Sequence, residues 1–285
     1  IERALLRRGY LMQRLVERRV EIDRGAASAR IVLRYESGTR HFLGKVSFQG
    51  AQFDDGLMQR FVPWPDGYRF DQARVEALQQ SLAASNYFDH IEISQGEIDP
   101  VTLRVPLQVQ LSPNLRTRYV AGVSYGTDEG AGVRGGIERR WVNGRGHQLY
   151  GEAEVAQRRS ALYAEYAFPQ FAARISRYTI ATRWQDEQTD NIDARSFLLS
   201  GNAIARGHHW YAQASLNALD GSFLVGARSA GQERQSTRVV YPELRYERVL
   251  AEDRVHPARG ASLDVRVLAA SDRVLSDVSL LQGRA

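Results

Sequence analysis

The sequence predicts a small soluble α+β arm followed by an antiparallel β-barrel that spans a membrane, present as its N-terminal strands only. Three observations lead there. Two-residue alternation of polarity runs from Leu115 to Leu281, aromatic residues fall where the strands begin or end, and arginine mixes with glutamate on the face opposite the apolar one. Side chains two apart on a strand share a face, so each run shows one greasy and one charged side. Tyr119, Ala121, Val123 and Tyr125 stand against Arg118, Gly122 and Ser124; Val133, Gly135, Ile137 and Trp141 against Arg134, Glu138 and Arg140. Leu149, Gly151, Ala153 and Val155 oppose Gln148, Glu152 and Glu154, and Leu162, Ala164, Tyr166 and Phe168 oppose Tyr163 and Glu165. The same holds for Tyr178, Ile180, Thr182, Trp184; for Trp210, Ala212, Ala214, Leu216; for Val240, Leu244, Tyr246; and for Leu263, Val265, Val267. This amounts to about nine and a half strands.

A β-sandwich also alternates, but its apolar face packs on a second sheet and is rich in large aliphatics. Here that face is modest, with many Ala, Gly and Thr, while the other mixes Arg with Glu, the pattern of a barrel with lipid outside and water within. If the chain enters from the side of the arm, Tyr119, Trp141, Phe168, Tyr178, Trp210 and Tyr246 fall at the near rim. Tyr125 and Trp184 fall at the far one. Aromatic girdles at both water interfaces are what such a barrel requires.

With 285 residues and 43% hydrophobic content, the chain is long enough for two or more folding units. Its formal charge is +5, from 38 basic and 33 acidic residues, and Lys45 is the only lysine. The arginines are spread through strands with glutamates nearby, which argues for an internal charge network and against nucleic acid. The absence of cysteine excludes disulfides and thiolate metal sites. No stretch of eighteen apolar residues occurs, so no membrane helix is expected, as holds for a barrel. The chain opens on Ile1 and ends just after an arginine, and an even, closed strand set is missing; both ends are expected to have been cut away.

In the arm, Ile1 to Arg8 reads as a helix end broken by Gly9, followed by strands over Tyr10–Asp23 and Ala29–Tyr35, separated by the turn Gly25-Ala26-Ala27. A second unit follows. Phe42 to Phe48 reads as a strand, a short helix runs over Leu57 and Phe61 until Pro63 and Pro65, and Asp71 caps a helix carrying Val75, Leu78 and Leu82. Phe88, Ile91, Ile93 and then Val101, Leu103, Val105, Leu107, Val109 supply two strands expected to sandwich the helices. The domain boundaries are thus 1–37, 38–111 and 112–285.

Gly44-Lys-Val-Ser-Phe-Gln-Gly50, Gly67-Tyr68, Leu78, Leu82 and Ser85-Asn-Tyr87-Phe88 with Ile91 and Ile93 together resemble a POTRA domain, a β-α-α-β-β module. Gly9-Tyr10 and Gly38 suit a preceding POTRA copy of which the second half is present. His256-Pro257-Ala-Arg259-Gly260-Ala-Ser-Leu263 is similar to the segment opening a mid-barrel strand in the POTRA-containing outer-membrane insertase and translocase superfamily. Within it the nearest resemblance is to the TamA family of translocation and assembly module subunits. The superfamily's Arg-Gly-aromatic lumen loop and closing strand are absent from this sequence.

The resemblance implies a bacterial outer-membrane protein, with its POTRA domains in the periplasm, that receives unfolded outer-membrane or autotransporter clients, works beside a TamB-like inner-membrane-anchored partner, and carries out no chemistry. Ile91, Glu92 and Ile93 are then the candidate client-binding strand edge, because an extended client adds to unpaired backbone groups. Arg118, Tyr119, Val120, Ala121, Gly122, Val123, Ser124 and Tyr125 form the strand that meets the missing last strand at a lateral seam. Arg134, Glu138, Glu152, Glu165, Arg195 and Arg266 are expected in the lumen, where static filling is the simpler role. Two relatives of the same architecture are alternatives: a two-partner-secretion pore that exports through the lumen, and the barrel of an outer-membrane phospholipase. A passive porin would have no use for POTRA copies.

Catalytic, cofactor and metal sites are expected to be absent. Gly122-Val-Ser124-Tyr-Gly126 matches a nucleophile elbow, but no helical periodicity follows. Gly130-Ala-Gly132-Val-Arg-Gly135 matches a dinucleotide fingerprint, yet an alternating strand follows it. His208-His209 on a strand would point to opposite faces.

Overall fold

The computed structural model of the chain describes residues 1–23, 25, 28–127, 129–170, 176–188, 192–207, 209–225, 234–251 and 259–285. Ala26 and Ala27 of the expected turn, Asp128, His208, and the His256-Pro257-Ala part of the resembling segment lie outside them. Two compact units are present, Ile1–Asn114 and Leu115–Ala285. No helix among the described residues is long and apolar enough to cross a membrane, which says nothing of strands.

The first unit begins with α1 (Glu2–Arg7) and the antiparallel hairpin β1 (Arg14–Asp23) and β2 (Ser28–Glu36). Val20 opposite Ile31 marks its apolar face; Arg19, bonded to Glu17 and Glu21, marks the charged one. The rest is β3 (Phe42–Gln49), α2 (Asp55–Gln59), α3 (Gln72–Ala84), β4 (Phe88–Gln95) and β5 (Arg104–Pro113), the β-α-α-β-β order that the sequence predicts. Asp71 accepts a hydrogen bond from the Ala73 amide at 3.0 Å and so caps α3, whose Val75, Leu78 and Leu82 are buried at i, i+3 and i+7.

The strands form one sheet in the order β3-β5-β4, parallel between β3 and β5 and antiparallel between β5 and β4. This corrects the expectation that strands sandwich the helices. Central β5 buries Val105, Leu107, Val109 and Leu111. Its start is also corrected: Val101 is exposed and Leu103 has φ +54°, because Asp99 accepts bonds from the Val101 and Thr102 amides and ties this stretch into a turn. Tyr87 and Phe53 pack with ring centroids 4.6 Å apart, and burial pushes the Tyr87 phenol well up.

The second unit is one ten-stranded antiparallel sheet whose strands follow chain order: β6 (Thr117–Gly126), β7 (Gly130–Arg139), β8 (Gln148–Ala156), β9 (Arg159–Pro169), β10 (Arg177–Gln188), β11 (Ile192–Arg206), β12 (Trp210–Val225), β13 (Gln235–Ala251), β14 (Gly260–Ala270) and β15 (Leu280–Arg284). Directly opposed residues share a face, so the register extends each strand's alternation across the sheet. One apolar row runs Tyr119, Ile137, Gly151, Ala164, Thr182, Leu199, Ala218, Val240; another runs Phe168, Tyr178, Ala203, Ala214, Leu244, Val267.

Among the described residues of this unit, no second layer covers the apolar face. Tyr119, Val123, Tyr125, Ile180, Leu216 and Leu244 are 54–87% exposed, where a sandwich would bury them. Ala121 and Ala153 are likewise exposed, and Ala212 and Val265 half-buried.

Candidate functional site

Three features can take part in recognition: two strand edges and a charged face. Ile91, Glu92 and Ile93 lie on β4, which among the described residues pairs with β5 alone and forms one margin of the three-stranded sheet. Both isoleucine side chains are half-buried while Glu92 is exposed. An edge of this kind holds backbone N–H and C=O groups available to an added strand.

Arg118 to Tyr125 all fall within β6, the first margin of the large sheet, paired among the described residues with β7 alone. Its register with β7 pairs Arg118 with Glu138 (3.8 Å between charged atoms), Gly122 with Arg134, and Ser124 with Gly132. A Cβ at Gly122 would lie 3.1 Å from Arg134 Nε, so the arginine side chain passes over β6 where Gly122 carries no side chain. Ser124 sits inside a strand, and β7 follows the loop, so neither glycine-rich motif opens a helix.

On the charged face, Glu152 accepts a hydrogen bond from the Tyr150 hydroxyl, and Glu165 accepts one from Tyr163 at 2.8 Å. Arg183 lies over the Tyr163 ring at 5.0 Å. Arg266 forks onto Glu243 through Nε and Nη2 at 2.8 and 3.0 Å. Arg134, Glu138, Glu152, Glu165 and Arg266 all share this face by register. Arg195 does not, and its expected placement is corrected: it lies opposite Asp186 and Ser222, in phase with Trp184, and its guanidinium holds Asp186 at 2.9 Å on the apolar side.

The charged face also contains a neutral polar ladder that the sequence reading missed. Asn202 donates to Thr179 at 3.0 Å, Gln213 donates to Asn202 at 3.1 Å, and the Ser200 hydroxyl donates to Asn217 at 2.8 Å. These partners lie up to 23 residues apart and meet only once register is known. Among the described residues no group of three or more His, Asp and Glu side chains could hold a metal ion.

Arm and sheet together define a class: a β-α-α-β-β unit preceding a long up-and-down antiparallel sheet that is apolar on one face and charged on the other. No family model matches the chain. Among solved structures it is similar to BamA from Haemophilus ducreyi lacking POTRA domains 1–3, with TM-score 0.73 and 15% identity over 97% of this chain and 56% of that one. CdiB from Escherichia coli gives a TM-score of 0.55 at 12% identity, covering 96% and 52%; CdiB from Acinetobacter baumannii gives 0.51 at 11%, covering 94% and 51%. The likeness is one of fold, and the chain spans little more than half the length of these structures.

Proposed function

We propose that this chain belongs to an outer-membrane protein-assembly or translocation factor of the POTRA-barrel superfamily, of the TamA kind. The observation that carries the reading is a sheet with two opposite chemistries whose first strand, β6, has no strand on its outer edge among the described residues. An apolar face left uncovered over ten strands needs hydrocarbon, and a charged face needs water; a barrel in a bilayer supplies both. The fold likeness to BamA and CdiB supports the same reading.

In this mechanism the POTRA domains stand in the periplasm, and the β4 edge takes up an unfolded outer-membrane or autotransporter client as an added strand. The client passes to β6, which templates its strands at a lateral seam between β6 and the barrel's last strand. Each backbone group costs several kcal/mol unpaired in hydrocarbon, so client pairing itself supplies the driving force and no cofactor or covalent step is needed. A TamB-like, inner-membrane-anchored protein is the partner of the arm.

A disulfide joining a cysteine at Val123 to one in the closing strand of the complete protein tests the seam. Loss of client insertion that returns on reduction is expected; insertion at the unlocked rate under oxidising conditions would overturn lateral templating. The similarity to CdiB favours a second reading, export of a polypeptide through the lumen. That reading predicts that the same disulfide leaves export unchanged.

A further inference from the structure

The apolar face of β11–β14 has a hollow. Ala203 and Ala205 of β11 lie opposite Ala214 and Ala212 of β12; these face Leu244 and Tyr246 of β13, which face Val267 and Val265 of β14. Methyl groups between longer side chains leave a depression of about 500 Å³. In the next row toward the same strand ends stand Trp210, Arg248 and Leu263, cross-strand neighbours in that order.

Arg248 is exposed, and among the described residues its guanidinium makes no ion pair or hydrogen bond. Nearby arginines on the charged face are engaged: Arg245 with Glu247 and Asp264, Arg266 with Glu243. Around Arg248 on its own face stand Trp210, Tyr246, Leu250 and Leu263, none of them acidic. A cation ringed by apolar groups at the end of an apolar hollow calls for an anion carried on something greasy.

We propose that the hollow and Arg248 bind a phospholipid of the surrounding bilayer with an anionic headgroup. One acyl chain lies over the four alanines, and the headgroup phosphate accepts a charge-assisted hydrogen bond from Arg248. The alanine floor is two strands wide, about 5 Å between backbones, which suits a hydrocarbon chain and not a helix of about 10 Å diameter. This inference rests on the membrane placement proposed above.

The test uses the full-length protein folded into vesicles, extracted in detergent and examined by native mass spectrometry with added dioleoyl phosphatidylglycerol or dioleoyl phosphatidylcholine. One phosphatidylglycerol is expected to stay bound. Arg248→Gln lowers its retention roughly tenfold or more, toward the phosphatidylcholine level, and Ala214→Trp, which fills the hollow, removes retention of both lipids. Equal retention of the two lipids by the unaltered protein, or retention unchanged in both variants, overturns the site while leaving the membrane placement standing. Failure of the protein to enter vesicles overturns the placement and the site together.

Discussion

Ser276 and Val240 hold each other through two hydrogen bonds: the serine hydroxyl accepts from the valine amide at 2.9 Å and donates to its carbonyl at 3.0 Å. Pairing of β13 with β14 stops at Glu243 and Leu268, so this contact extends the margin of β13 beyond its neighbour. Asp277 repeats the device, donating its amide to Arg238 O at 2.8 Å. Ser276→Ala leaves both Val240 groups without these partners at a half-buried margin, costing about 1–2 kcal/mol. Amide exchange at Val240 is expected to accelerate roughly tenfold or more, with that at Leu244 unchanged.

Gly50 closes β3 with φ +76°, and a Cβ there would stand 2.2 Å from Leu111 O. Gly50→Ala combines left-handed strain with a collision against the central strand, costing roughly 2 kcal/mol or more. Gly56→Ala is the control, since a Cβ at Gly56 meets nothing within 4 Å. Urea unfolding followed through Trp64, with the other tryptophans replaced by phenylalanine, should show a lower midpoint for the first variant only.

Membrane placement predicts opposite behaviour for the two faces of one strand. A fluorophore attached through cysteine at position 121, 153 or 212, each an alanine of the apolar face, should be quenched by bromine-labelled acyl chains. The same probe at Arg134, Glu152 or Glu243 should be spared and respond instead to iodide in water. Equal quenching at all six positions contradicts a lipid-facing side.

The loop before β5 should respond to acid. The Thr102 hydroxyl bonds the Asp99 carboxylate at 2.6 Å, and the Val101 and Thr102 amides add to it, holding that carboxyl below the usual range. A depressed carboxyl contributes stability above its unfolded pKa and loses it as pH falls through the folded value. Exchange protection at Val101 and Thr102, corrected for intrinsic rates, should be level from neutral pH to about 5 and fall below about 4. Asp99→Ala should be unprotected throughout.

Much of this architecture is legible in the sequence because each face of the large sheet keeps one chemistry along most of its strands. Tyr119, Ala121, Val123 and Tyr125 keep step without interruption, and the register then places them where alternation predicts. Arg195 falls in phase with Phe197 and Leu199 on the apolar side of β11, where Phe197-Leu198-Leu199 sets three apolar residues in succession and leaves no alternation from which to read its side. Val101 and Leu103 looked like strand residues because their polarity alternates, while the turn chemistry of Asp99 decided the backbone. The polar ladder of Thr179, Asn202 and Gln213 depends on cross-strand partners, which single-strand patterns do not encode.

The strands β11, β12 and β13 run for 15, 16 and 17 residues, whereas hydrocarbon needs about 9–11. For a barrel inserted as proposed, the excess stands clear of the cell as a stiff, ion-paired fin bearing Asp220 and Arg238. Under that placement the long strands keep their hydrogen-bond ladder past the membrane's edge instead of giving way to loops.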